Sequence, residues 1–365
     1  MNSRELMRAA MRREPTDRIP TMPQICHDTP VMIYAAADGT DPREGYRRCA
    51  EHPTAMYEYV IKLVRQVGCD GLRLFVPSDP LKIVIDGDVL EAIDPKTDER
   101  IGRLDMYGGG QIVLDNPPAP VETLEEAGGR LNEMLEDLTD EKIDTLRDYR
   151  ASVLDLFVAS GPGGMTMCTY NKLRGREQGM FDFFERPDFV SGVMDMLADI
   201  VIQRAEKLLR TGIDAFYIGD PSASGSLIGP WHFEQFCLPG YQKFCRHFKD
   251  AGILIYIHVC GNSRPILEML ADTGADVIEP LDPLGGVEVA DAKARVGDRV
   301  ALMGGVNTLT LCRGTADDVR AEAIAKCREG GPTGYILAAG DMVPPDTPLE
   351  NLQAMVDVAR KSLWR

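Results

Sequence analysis

Short apolar, β-branched runs alternate along the chain with longer amphipathic stretches, the pattern of parallel strands joined by crossover helices. Eight such runs stand out, at residues 19–26, 70–76, 163–169, 214–220, 253–261, 275–281, 299–306 and 334–341. Helical patterns lie between them. Two examples are PDFVSGVMDMLADIVIQRAEKLLRTG at 187–212 and TADDVRAEAIAKCREGG at 315–331, the second with Thr315 as its cap and glycines at its end. Eight strand-then-helix units favour an α/β fold of the (β/α)8 TIM-barrel class over a doubly wound sheet. Residues 82–114 break the alternation with short strands and turn signals such as DGD and DPKTD. They read as a β-ribbon inserted after the second strand, over the mouth of the barrel, within a single domain covering residues 1–365.

Composition narrows the classes of function. No run of roughly 18 uncharged apolar residues occurs, so a membrane span is not expected. The opening MNSRELMRAAMRREPTDRIP is charged and amphipathic, without the apolar centre of a secretion signal. The nine cysteines are scattered and do not form a disulfide framework; a cytoplasmic location is expected. A formal charge of −17 with no Lys/Arg-rich run argues against nucleic acid and anionic membranes as partners. Local basic residues in a pocket can still hold an anion.

In a barrel of this class the active site sits at the C-terminal ends of the strands. The candidates in chain order are Gln24, Cys26, His27 and Asp28; Ser78 and Asp79; Cys168, Tyr170 and Asn171; Asp220, Ser222 and Ser224. They continue with His258, Cys260 and Asn262; Glu279 and Asp282; Asn307; and Asp341. His258 and Cys260 are two apart, so on a strand both face the same side. Imidazole and thiolate suit zinc, and Asp341 or Glu279 would supply a third ligand. The competing reading of an isolated H-x-C pair is a hydrogen-bonded strand-end histidine beside a filler cysteine. Asp220 orients substrate or accepts a proton, or else caps a turn; Asp79 invites the same pair of readings. GPGG at 161–164 reads as a turn, too short and wrongly placed for a dinucleotide loop, and no P-loop or nucleophile elbow is present.

Several longer segments resemble the uroporphyrinogen decarboxylase superfamily. They are RELMRAAMRREPTDRIP, GDPSASGSLIGPWHFEQFCLPGYQKF, HVCGNSRPILEMLADTGADVIEP, GDRVALMGGVNT and GGPTGYILAAGDMVPPDTPLENLQAMV. The resemblance covers nearly the whole chain and implies the barrel fold. The decarboxylases themselves carry an arginine-containing segment near the first strand that holds the porphyrinogen carboxylates; TMPQICHDTPVMI has no arginine. The methylcobamide-dependent methyltransferase branch shares DP-x-A-S after the fourth strand, matched by Asp220, Pro221, Ala223 and Ser224, and an H-x-C zinc motif after the fifth, matched by His258 and Cys260. In that branch the third ligand is a cysteine after glycine; here the pair is Gly340-Asp341.

The resemblance implies a methyltransferase that moves a methyl group between a small methylated substrate or thiol and a corrinoid (cobalamin) carried by a partner protein. Zn2+ would be held by His258, Cys260 and Asp341. Asp220, Asp79 and Glu279 are the expected catalytic residues, with Cys26, His27, Tyr170, Asn171, Ser222, Ser224 and Asn307 toward the substrate. The alternatives are metal-free decarboxylation of a porphyrinogen or other carboxylated ring, and a non-catalytic corrinoid-binding barrel. Homodimer formation is a further open expectation.

Overall fold

The computed structural model describes residues 1–25, 28–106 and 110–361. Among them, strand β1 (Gly71–Arg73) is followed by four short strands, β2 (Lys82–Asp86), β3 (Val89–Ile93), β4 (Arg100–Asp105) and β5 (Gln111–Leu114). Six more come after: β6 (Phe157–Ser160), β7 (Ala215–Gly219), β8 (Leu254–His258), β9 (Val277–Leu281), β10 (Ala301–Val306) and β11 (Tyr335–Ala339). The main sheet is parallel and curled, with seven strands in the order β1-β6-β7-β8-β9-β10-β11. Helices on its convex side connect the strands, as parallel crossovers require.

The expected first strand, residues 19–26, is not a regular strand. Pro20 and Pro23 lack amide donors, so a continuous ladder cannot form there. The segment instead lies between the two outer strands of the sheet. Leu337 donates to Pro20 O at 3.0 Å, Val343 to Gln24 O at 3.0 Å, and Asp70 to Thr21 O at 2.9 Å. The expected third strand at 163–169 is also displaced. The ladder runs through Phe157–Ser160, GPGG then breaks the chain, and an α-helix starts at Met167. Met165 and Met167, which gave the run its apolar character, are buried in the core between helices and sheet.

Side-chain alternation divides the apolar residues into two layers. On the concave face Phe157, Ala159, Ala215, Leu254, Tyr256, Val277, Ala301, Met303, Ile336 and Ala338 meet Met7, Ala10 and Met11 of the N-terminal helix Ser3–Met11. Residues of the opposite parity, such as Phe216, Ile255, Ile257 and Leu337, pack outward under the helices. The N-terminal helix is fastened by ions: Arg4 and Arg8 pair with buried Asp214 at 2.6 and 3.1 Å, and Ser3 Oγ donates to Asp70 at 2.6 Å.

Strands β2 to β5 form a separate four-stranded antiparallel sheet. Its inner residues Ile83, Leu90, Ala92 and Leu104 pack on Val31, Tyr46, Cys49 and Ala55 of the neighbouring helices. No helix of the described residues is long and apolar enough to cross a membrane.

Candidate metal centre

At the C-terminal ends of the strands the concave layer turns from apolar to polar. On β8 the inward series Leu254, Tyr256 ends in His258, and on β9 the inward series Val277 ends in Glu279. The parallel register sets His258 opposite Glu279. Their side chains meet at 2.5 Å, His258 Nδ1 to Glu279 Oε2, with His258 3% and Glu279 1% exposed. With a carboxylate as partner, Nδ1 is assigned the proton and Nε2 keeps its lone pair. Nε2 lies 3.9 Å from Asp341 Oδ1. Ligand atoms of His258, Cys260 and Asp341 all fall within 4.8 Å of one another.

Cys260 reaches this cluster by a turn and not by strand alternation, because β8 ends at His258. After Val259, whose N–H still bonds Glu279 O at 2.9 Å, the chain bends through Gly261 at φ +76. Two loops clamp the bend. Gly225 N donates to Asn262 O, and Asn262 N to Ser226 Oγ, each at 2.9 Å. From the other side Gly285 approaches so closely that a Cβ on it would stand 2.3 Å from the carbonyl carbon and oxygen of Gly261. Asp341 is set by Gly340, where a Cβ would meet Pro283 Cδ at 2.6 Å.

The electrostatics suit a cation. Burial, then the charges of Asp341, Glu279 and Asp282, push the Cys260 thiol well above its usual range. Burial also raises Asp282, against the backbone N–H groups of Gly285 and Leu284. Burial would raise Glu279 too, but His258, by its charge when protonated and by its hydrogen bond, and the Arg73 charge outweigh it and hold the carboxyl below its usual range. A divalent ion offsets this crowding of carboxylates and favours the thiolate. One imidazole, one thiol and one carboxylate fit zinc with a fourth position open to substrate.

The other expected residues are spread over different roles. Asp220 is 0% exposed and accepts from Thr166 N and Cys168 N at 2.7 Å, from Tyr241 OH at 3.0 Å, and from the Thr166 hydroxyl. It therefore fastens the start of the helix Met167–Arg174. Beside it, Cys168 Sγ and Ser222 Oγ are 3.4 Å apart, and Ser224 is buried. Tyr170 corrects the expectation of a substrate contact: on a helix instead of a strand end, it points into the core and donates to Asp182 at 2.8 Å. Asn171, one residue on, has both amide atoms buried without a hydrogen-bond partner among the described residues. Asn307 caps the helix Thr308–Arg313 by accepting from Leu309 N at 2.8 Å. Asp79 is exposed and pairs with Lys142 at 3.0 Å. Cys26 and His27 lie outside the described residues.

Two site residues escaped sequence reasoning. Arg73, 4% exposed at the end of β1, lies 4.5 Å over the ring of Tyr217 on β7, and that ring is 5.6 Å from the His258 ring. Inward parity on their strands was the available signal, and it needs the strand bounds to be read.

A profile described as "Uroporphyrinogen decarboxylase (URO-D)" matches residues 131–362. The chain belongs to the uroporphyrinogen decarboxylase family. Within its family it is 34% identical over 173 residues to the methylcobamide:CoM methyltransferase MtaA of Methanosarcina barkeri, covering 47% of this chain and 49% of the relative. It is 32% identical over 180 residues to MtbA of Methanosarcina mazei, covering 49% and 51%. The chain thus spans about half the length of these methyltransferase relatives. With the uroporphyrinogen decarboxylase of Myxococcus xanthus the identity is 24% over 375 residues, 99% of this chain and 97% of the relative. Among solved structures, a methyltransferase from Methanosarcina mazei superposes with a TM-score of 0.70 at 21% identity, covering 99% of both chains. A B12-independent methionine synthase from a Shewanella species gives 0.53 at 11% identity, covering 94% and 98%.

Proposed function

We propose that this URO-D family member is a zinc-dependent methyltransferase that moves a methyl group between a small substrate or thiol and a corrinoid carried by a partner protein. The observation that carries the reading is the convergence of His258, Cys260 and Asp341 within 4.8 Å, with Glu279 bonded to the far side of the imidazole. The similarity to methylcobamide:CoM methyltransferases supports the same class of reaction. We also read the curled sheet and residues 20–24 together as an eight-unit barrel, with 82–114 set into it.

His258 Nε2, Cys260 Sγ and Asp341 would hold the ion. Zinc bound there supplies Lewis-acid chemistry, lowering the pKa of an acceptor thiol or polarising a methoxy or hydroxyl oxygen. Glu279 fixes the His258 tautomer and ring plane. Asp220 acts through the helix it anchors, keeping Cys168 and the residues beyond it at the rim. Ser222 lies beside Cys168 and Ser224 near Gly261, Asn171 packs toward Gly179, and Asp79 is exposed near Lys142. The apolar concave layer beneath excludes water from the ion's inner side.

Metal analysis of the purified protein tests the reading. One zinc per chain is expected, lost in His258→Ala and Cys260→Ala. Decarboxylation is the second reading, favoured by the full-length similarity to the Myxococcus enzyme. Metal-free protein that turns over a porphyrinogen would establish it in place of the first.

A further inference from the structure

Beside β1 lies a cavity of about 450 Å3, walled by the loop after β1, by the helices carrying Tyr46 and Tyr57, and by β4 and β5 of the small sheet. Its walls are mostly apolar: Met56, Tyr57, Val60, Phe75 and Ile112. Tyr57 donates its hydroxyl to the backbone carbonyl of Phe75, which ties the Tyr57 ring to the loop after β1. The volume is at the small end of the roughly 300–1,000 Å3 typical of ligand pockets. It suits a molecule of one ring.

The ends of the cavity differ in charge from the rest of a chain that carries −17. At the buried end is Arg73, stacked on Tyr217 and, through that ring, one side chain away from His258. At the exposed end is Lys172, on the helix that Asp220 fastens. Lys172 makes no ion pair among the described residues, and the carboxylate in the lining, Asp79, shares Lys142 (3.0 Å) with Asp137 (2.6 Å). The lining thus carries Lys172 and Arg73 beside the single carboxylate of Asp79, with an apolar, aromatic middle.

We propose that this cavity binds a single-ring aromatic carboxylate, its ring against Tyr57 and Phe75 and its anionic group at Lys172, so that the opposite end of the ring points toward Tyr217 and the metal centre. This names the small substrate of the methyltransferase reading and rests on that reading for the ligand's role, while the cavity itself does not need the ion. A polycarboxylate macrocycle fits neither the volume nor the presence of only two cations. A methoxy-substituted benzoate is a compact member of this class, with one ring and one carboxylate.

Calorimetric titration with 4-methoxybenzoate, methoxybenzene and acetate, on metal-loaded and chelator-stripped protein, tests this. The expected result is one 4-methoxybenzoate per chain, bound at least tenfold tighter than either fragment and in both metal states. Lys172→Glu should weaken it tenfold or more, Lys172→Arg should retain it, and methoxybenzene should be indifferent to both. Zinc content should stay at the parent level in each variant. Equal affinity for acetate and 4-methoxybenzoate, or an unchanged affinity in Lys172→Glu, would overturn the proposal. Protein that lacks zinc yet shows the expected titration keeps the cavity assignment and removes the methyltransferase reading alone.

Discussion

Single side chains decide the candidate metal centre. His258 and Cys260 stood out as a motif because their spacing is short and their residue types are metal ligands. Asp341 followed from its position after the last strand. Glu279 was named as a catalytic residue or spare ligand, and its bond to His258 at 2.5 Å gives it the orienting position instead. Glu279→Gln keeps an acceptor for Nδ1 but removes the charge, so zinc affinity should fall about 10- to 100-fold in a competitive chelator titration. Asp341→Ala should weaken zinc retention and Asp341→Cys should preserve it. Zinc held by Asp341→Ala as tightly as by the parent would pass the third position to another group. Arg73 and Tyr217 were not legible, because a residue in the middle of an apolar run becomes a site residue only once inward parity is known.

At the scale of elements, five of the eight expected strands contain a strand of the parallel sheet near the predicted bounds: those at 214–220, 253–261, 275–281, 299–306 and 334–341. The run at 70–76 shortens to Gly71–Arg73, and the runs at 19–26 and 163–169 were misread. Both failures have local causes: prolines that remove ladder donors, and a Gly-Pro turn after which the chain enters a helix at Met167. That displacement is why Tyr170 moved from the rim to the core. There it shares Asp182 with Arg174, which pairs at 2.6 Å, both side chains being buried. Asp182→Ala should cost about 3 kcal/mol in denaturant unfolding, because it leaves a buried guanidinium with only the exposed Glu122 as a charged partner. Burial alone would raise the Asp182 carboxyl; Arg174, Gln178 and Tyr170 bring it below its usual range. The resulting stabilisation is present above the unfolded carboxyl's roughly 3.9 and is lost as pH falls through the lowered folded value. Asp182→Asn should therefore flatten the acid limb of a stability-against-pH curve. The loop at Cys260 carries a different prediction. Gly285→Ala must displace the Gly261 backbone, so zinc affinity should drop at least tenfold while circular dichroism stays that of the parent.

For the whole molecule, zinc at the candidate centre would be linked energetically to the sheet. The donors come from the ends of β8 and β11, which lie far apart in the sheet order, and an ion holding them ties the two strands together. At a free zinc concentration a thousandfold above Kd the folded state should gain about 4 kcal/mol. Chelation should lower Tm in the parent and leave the Tm of Cys260→Ala unchanged.

The N-terminal helix bears on how the chain is made. Residues 3–11 touch β1 and β6 but also β10 and β11, whose residues are synthesised some 300 positions later. Arg4 and Arg8 likewise wait for Asp214. Contacts so distant in sequence slow folding and leave early apolar surface uncovered. Met7, Ala10 and Met11 leave the ribosome long before β10 and β11 and stay uncovered until those strands arrive, which leaves this helix open to chaperones and proteases during synthesis.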